Sequence, residues 1–241
     1  MCVTCRQDSF KPSRRGLVLG AAATIWLLLG NAASAKERKP PPKPQNVLSP
    51  EASLERLLKG NARYVEGVSL RHDFKHEREA LAGGQNPYAA ILSCADSRIA
   101  PEYAFDSGRG DLFVCRVAGN FASSETIASM EYAVAVLGVP LLLVLGHDAC
   151  GAVDATIKSI RDDKPLPGHM PSLVEAIAPS VKAVSQQGGD TLGKAIRQNV
   201  FDNVAKLASA TPILSAAVEQ HKLKVVGGIY RLRDGKVDMV A

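Results

Sequence analysis

Two short polar clusters carry the side chains best suited to chemistry: Cys94-Ala95-Asp96-Ser97-Arg98 and Gly146-His147-Asp148-Ala149-Cys150-Gly151. Cys94, His147 and Cys150 offer two sulfurs and one nitrogen, a soft donor set that selects zinc over calcium or magnesium. The His-x-x-Cys spacing brings two donors from one turn to a single ion, and the third arrives from a separate segment. Three protein ligands leave a fourth position open, which marks catalytic rather than structural zinc. Taken singly, each residue also reads as core, because free cysteine is among the most buried residue types. A disulfide between two of them is a further reading in an oxidising compartment. Asp96 and Arg98 share a turn with Cys94. A carboxylate there either takes the fourth coordination position or orients a zinc-bound water, and a bidentate pair with Arg98 favours the second role. A thiol enzyme with Cys94 as nucleophile and Arg98 as anion clamp is another reading, although a phosphatase-type loop wants five residues between the two and here there are three.

These clusters need elements to position them. Tyr88 to Ser93 runs apolar into Cys94 with no helical stripe and reads as a buried strand, as do Leu112 to Val117, Leu141 to Gly146 and Lys224 to Tyr230. Helical spacing appears in Leu54, Leu57, Leu58, Ala62 and Val65 behind Ser49-Pro50, an N-cap and first-turn proline. A short helix is expected around Glu77 to Ala82, and longer ones over Ser124 to Leu137, Leu173 to Ser185 and Leu192 to Ala208. Alternating strands and helices predict an α/β fold with a mostly parallel β-sheet flanked by helices and an N-terminal helical arm. Asp234-Gly235 predicts a hairpin into Val237 to Val240, and so a C-terminal antiparallel edge strand. Ligands of such sheets bind beyond the carboxyl ends of the strands, where both polar clusters stand.

The first 35 residues read as a cleavable signal peptide. The apolar run Gly16 to Gly30 is about fifteen residues, short of the roughly 20 that a membrane span needs. Arg14-Arg15 precedes it, and Ala33-Ser34-Ala35 supplies small residues before Lys36, a twin-arginine-like pattern that predicts a periplasmic protein. The alternative is an uncleaved helix anchoring the chain to the inner membrane. Cys2 and Cys5 fall inside this segment, and no second pair accompanies them. Residues 36–50 form a Pro-rich basic spacer, leaving 51–241 as the folded domain. The whole chain carries a net charge of +5, but 1–35 and 36–50 hold the excess, and the remainder has 21 basic against 22 acidic residues. That balance speaks against a nucleic-acid partner. At 46% hydrophobic and 22% charged, the chain is globular in composition.

At the two polar clusters the sequence resembles the β-class carbonic anhydrases, whose motifs are C-x-D-x-R and, some fifty residues later, H-x-x-C. His147 follows Cys94 by 53 residues, and Gly110-Asp111-Leu112-Phe113, Arg116 to Asn120 and Glu131-Tyr132-Ala133 are family-like and in order. The resemblance implies that Cys94, His147 and Cys150 bind Zn2+ and that Asp96 and Arg98 form the dyad holding its water. The activity it implies is reversible hydration of CO2 to bicarbonate and a proton by zinc-bound hydroxide. Gln85 matches the glutamine that in the plant-like branch hydrogen-bonds bicarbonate, and Phe113 matches that branch's apolar cleft residue. That branch's cleft tyrosine has no counterpart between Asn120 and Glu131. The bicarbonate-regulated branch carries a Trp three positions before its first zinc Cys. Here that position is Ile91, so such regulation is not expected, although Arg116 is present. The family assembles as homodimers or higher homo-oligomers with the cleft between chains, and the first helix is the candidate packing arm. His72 and His76 are possible proton shuttles, and Cys115 reads as core. The competing functions are the same zinc chemistry on another small molecule, such as carbon disulfide, and a non-enzymatic zinc-stabilised binding module.

Overall fold

Ser49 opens the first helix as the sequence predicts, its hydroxyl accepting the Ala52 N–H at 3.2 Å. Helix α1 covers Pro50–Val65, with proline in the first turn, where its missing N–H costs nothing. The computed structural model describes residues 47–241, so the signal peptide expected over 1–35 and residues 36–46 of the expected spacer lie outside the described residues. Among the described residues no helix is long and apolar enough to cross a membrane.

The face that α1 buries is rotated from its apolar stripe, keeping Leu57 and part of Leu54 but not the rest. Ser53, Leu57, Gly60 and Asn61 are buried, whereas Leu58, Ala62 and Val65 are exposed. Two features set that rotation. Asn61 staples the helix: its Nδ2 donates to the carbonyls of Ala104 at 2.9 Å and Gly235 at 2.8 Å, and its Oδ1 accepts the Val237 N–H at 2.9 Å. Gly60 lies so close to the backbone of Phe105 that an added Cβ would stand 1.9 Å from the Phe105 carbonyl oxygen. Alanine gains about 1 kcal/mol in helix propensity over glycine, but overpacking against backbone costs about 3 kcal/mol or more. The clash wins, so Gly60→Ala is expected to lower the urea midpoint of unfolding; an unchanged or raised midpoint contradicts this packing.

Among the described residues the strands are β1 Ala89–Ser93, β2 Leu112–Arg116, β3 Leu141–His147, β4 Lys224–Tyr230 and β5 Val237–Met239. They form one five-stranded sheet in the order β2-β1-β3-β4-β5. The first four are parallel, and β5 pairs antiparallel with β4, as the Asp234-Gly235 turn predicts. Every residue of β1 and β3 is buried, because helices cover both sheet faces. On one face Ala90, Leu92, Leu142 and Val144 join Ile177, Ile196 and Val200. On the other, Ile91, Leu143 and Leu145 pack with Leu57, Ala104 and Phe105.

The remaining helices are α2 Phe74–Leu81, α3 Pro101–Ala104, α4 Ser124–Ala135, α5 Gly151–Arg161, α6 Pro171–Val184, α7 Thr191–Ala208 and α8 Ile213–Glu219. Sequence periodicity does not predict α3, α5 or α8. The single turn of α3 is too short to show a period, and α5 starts on the glycine next to Cys150 without a side-chain cap. Helix α7 sits close on the sheet through glycines: added Cβ atoms at Gly146 and Gly227 would lie 2.7 and 2.6 Å from the methyls of Val200.

Candidate metal centre

Strand β1 ends directly before Cys94, and β3 ends on His147, so adjacent parallel strands deliver two donors to the same edge of the sheet. Cys150 follows one turn later as the residue capping α5. The turn between them is tight: Ala149 has φ +50°, a left-handed conformation that costs a non-glycine residue energy and serves to aim its neighbours. Asp148 pins this turn, its N–H donating to the Tyr230 carbonyl at 3.2 Å and its Oδ1 accepting the Leu232 N–H at 2.9 Å.

The two sulfurs and a ring nitrogen of His147 all lie within 4.8 Å of one another, and all three residues are buried. Cys94 Sγ and Cys150 Sγ are 4.0 Å apart, and both cysteines are free. Zinc–sulfur bonds of about 2.3 Å around a tetrahedral ion place two sulfurs about 3.8 Å apart, so the pair is already at a ligand spacing. The imidazole is prepared in the same sense. Its Nδ1 faces the Asp148 carbonyl at 2.8 Å, the partner that fixes the proton on Nδ1, and its Nε2 is buried with no hydrogen-bond partner. An orphaned buried nitrogen beside two sulfurs is what a metal ligand looks like without its metal, and the donor set fits zinc.

The two thiols lie in contact. That contact, helped by His147 and the Gly119 N–H and opposed by burial, holds the Cys94 thiol well below its usual range. The same contact and burial push Cys150 up. A bound cation replaces the thiol protons and favours both thiolates.

Asp96 stands beside this group, with Oδ2 3.9 Å from His147 Nε2. Arg98 grips it as a fork, Nε to Oδ1 at 2.9 Å and Nη2 to Oδ2 at 2.7 Å, and the Arg98 N–H adds a bond to Oδ1 at 2.9 Å. Those Arg98 bonds, outweighing desolvation, hold the carboxyl well below the usual carboxylate range, so it stays an ionised acceptor. Arg98 also reaches the Ala149 carbonyl at 3.3 Å and so ties one cluster to the other.

Other residues singled out in the sequence lie elsewhere. Gln85 precedes β1, whereas Cys94 follows it, and the five residues of β1 span about 16 Å. Phe113 pairs in register with Ala90, near that same amino end, where its ring stands 6.3 Å from that of Tyr132. His72 packs against Gly108 ahead of β2 and pairs with Glu77, and His76 pairs with Asp73, so neither is gathered with the metal donors. Cys115 is half-buried on β2. Two contacts at the site have no counterpart in the sequence reading, which notes Arg116 but assigns it no contact here. The Gly119 N–H donates to Cys94 Sγ at 3.3 Å, a backbone group without a side-chain signature. Arg116 donates from Nε to the Cys94 carbonyl at 3.0 Å and from Nη2 to the Asp96 carbonyl at 2.7 Å, so it braces the loop that carries both residues.

A mostly parallel sheet with a soft three-donor group at its carboxyl edge, and one arginine-clamped carboxylate beside it, fits the class of enzymes that hold a soft metal ion such as zinc. Comparison with known proteins narrows this. The profile of the carbonic anhydrase family matches residues 89–237. Carbonic anhydrase 2 of Mycobacterium tuberculosis is 40% identical over 189 residues, covering 78% of this chain and 91% of its own length. The carbonic anhydrase of Mycolicibacterium smegmatis is 38% identical over 192 residues, covering 79% and 93%. Among solved structures, the beta-carbonic anhydrase CcaA superposes with a TM-score of 0.60 at 27% identity, covering 78% of this chain and 98% of that one. A tetrameric beta-carbonic anhydrase of Sordaria macrospora shares the fold with a TM-score of 0.61 at 24% identity, covering 79% and 95%. The chain belongs to the β-class carbonic anhydrase family.

Proposed function

We propose that this protein is an exported zinc carbonic anhydrase that interconverts CO2 and bicarbonate, working as a homo-oligomer. The observation that carries the activity is the convergence of Cys94, His147 and Cys150 within 4.8 Å, with the otherwise unpartnered Nε2 of His147 among them. Cys94, His147 and Cys150 would hold the zinc, which would supply Lewis-acid activation of water near neutral pH, behaviour for which carbonic anhydrases are the standard example.

The chain's own groups do the rest. Asp96, kept ionised by Arg98, would serve as the fixed acceptor that orients the nucleophilic water toward CO2. The burial of the donors keeps bulk water from competing for them, and Arg116 holds the loop bearing Asp96 in register with β2. Gln85 and Phe113 lie too far along the sheet to serve the centre of their own chain, so they act on substrate from a second copy across a shared cleft. The exposed apolar residues Leu58, Ala62 and Val65 of α1 support that assembly, because a helical stripe of this kind wants a partner. The run Arg14-Arg15, the short apolar stretch and Ala33-Ser34-Ala35 support export by a twin-arginine-like signal, with cleavage after Ala35, a basic tether over 36–50 and a periplasmic catalytic domain over 51–241.

Stopped-flow hydration of CO2 at mildly alkaline pH, with sedimentation of the same sample, tests the reading. Turnover in a dimer or larger assembly is expected. No turnover in protein carrying one zinc per chain overturns the activity, and a fully active monomer overturns the shared cleft.

A further inference from the structure

Helix α7 turns three polar side chains, Asn199, Asn203 and Lys206, toward one loop that lies against the metal centre. Asn199 Nδ2 donates to the Gly119 carbonyl at 2.8 Å, Asn203 Oδ1 accepts the Ala122 N–H at 2.7 Å, and Lys206 Nζ donates to the Ala122 carbonyl at 2.6 Å. Asn203 Nδ2 in turn donates to the Asn199 backbone carbonyl at 2.7 Å and to its Oδ1 at 3.1 Å, so the two amides brace each other. They are 1% and 5% exposed, within a face that otherwise carries Ile196, Val200 and Leu207 into the core. Asparagine is a poor helix former, and a buried amide is costly unless paired. Two of them one turn apart in an apolar face answer a demand made by the loop.

That demand is set at Gly119. Its φ is +87°, and an added Cβ would lie 2.5 Å from Ile177 Cδ1, so the peptide occupies a narrow slot. From that slot the Gly119 N–H donates to Cys94 Sγ at 3.3 Å. The carbonyl of the same residue is the group that Asn199 holds. Asn199 therefore fixes one polar group of Gly119 while the other engages a ligand sulfur.

We propose that Asn199, with Asn203 behind it, is a positioning residue for the metal: it holds the Gly119 N–H on Cys94 so that the thiolate stays a firm, less nucleophilic ligand. The inference rests on reading Cys94, His147 and Cys150 as a metal site. An N–H directed at a bound thiolate draws charge from the sulfur and shields it from protons and competing electrophiles, and partners of ligands commonly govern metal retention.

The test compares wild type, Asn199→Ala, Asn203→Ala and Asn61→Ala, each loaded with cobalt for spectroscopy and with zinc for release to a chelator. Asn61 is the control because it is equally buried and makes three hydrogen bonds, all on the α1 side of the sheet. In Asn199→Ala the thiolate-to-cobalt charge-transfer band moves to lower energy, and zinc leaves about tenfold faster at temperatures where circular dichroism shows a folded chain. Asn203→Ala gives a smaller change of the same sign and carries the test if Asn199→Ala does not fold. Asn61→Ala loses stability but keeps the wild-type band and release rate. Unchanged bands in the α7 variants, or equal acceleration by Asn61→Ala, overturn the inference while leaving the metal site intact. A wild-type chain that takes up no cobalt or zinc overturns the site, and the inference with it.

Discussion

Replacing Cys94 by serine is expected to abolish stoichiometric zinc binding and to lower CO2 hydration more than about 100-fold, the upper end of what losing a mere partner of a ligand costs. The loss is large for three reasons. Serine offers a neutral, hard hydroxyl where zinc wants a thiolate. Cys94 is the donor that joins the β1 loop to the His147–Cys150 turn, so its loss leaves both remaining donors on one short segment. The Gly119 N–H, aimed at a sulfur 3.3 Å away, is left facing a neutral hydroxyl oxygen on a shorter arm. The fold should survive, because Cys94 lies just past β1 and the sheet is held by strand pairing and two apolar clusters. Zinc content by mass spectrometry of the native chain, alongside circular dichroism, separates the outcomes. A folded Cys94→Ser variant that keeps one zinc per chain contradicts the ligand assignment.

The second large effect is expected at Asp96. Asp96→Asn keeps the shape but replaces one carboxylate oxygen with an NH2 group that must face the Arg98 Nη2, donor against donor. The fork opens, and the acceptor that orients the nucleophile loses its charge. Hydration should fall on the order of 100-fold, as for loss of a positioned acid–base group, with zinc content unchanged. Arg98→Ala errs in the opposite direction. It frees a carboxylate that already stands 3.9 Å from His147 Nε2 to move onto the open coordination position and compete with water. Asp96 also predicts the form of the pH response. Its folded pKa is depressed, so the stabilising pair with Arg98 is complete above the ordinary carboxylate range and is lost only as pH falls through the lowered value. Asp96 ionisation therefore contributes no step to the hydration profile between mildly acidic and alkaline pH. Zinc-free Asp96→Asn protein, or a variant with wild-type turnover, contradicts this role.

The sheet and the three donors were readable because each leaves a mark in residue order. Buried parallel strands read as unbroken apolar runs, as in Ala89–Ser93 and Leu141–His147, and chemistry concentrates where such runs end. Asp234-Gly235 carried the antiparallel edge in two letters. Helix α1 shows where this logic stops. Its apolar spacing points to Leu54, Leu57, Leu58, Ala62 and Val65, yet only Leu57 is fully buried and Leu54 partly, because the bare backbone of Gly60 and the hydrogen bonds of Asn61 set the buried face. Neither residue is apolar enough to register in a periodicity. The parts of the site that escaped reading are of the same kind. Gly119 works through its backbone, and Asn199 acts on a residue 80 positions away, so its partner cannot be inferred from its neighbours. Gln85 and Phe113 rest on motif alone, and the structure places them at the amino ends of β1 and β2, a strand's length from the donors.

The central claim is that hydration depends on one zinc held by Cys94, His147 and Cys150. Titrating the metal-free chain with zinc while following CO2 hydration tests it most directly. Activity should rise in proportion to added zinc and level off at one equivalent per chain. Hydration that persists in the metal-free chain, or that stays absent when one equivalent is bound, would contradict it.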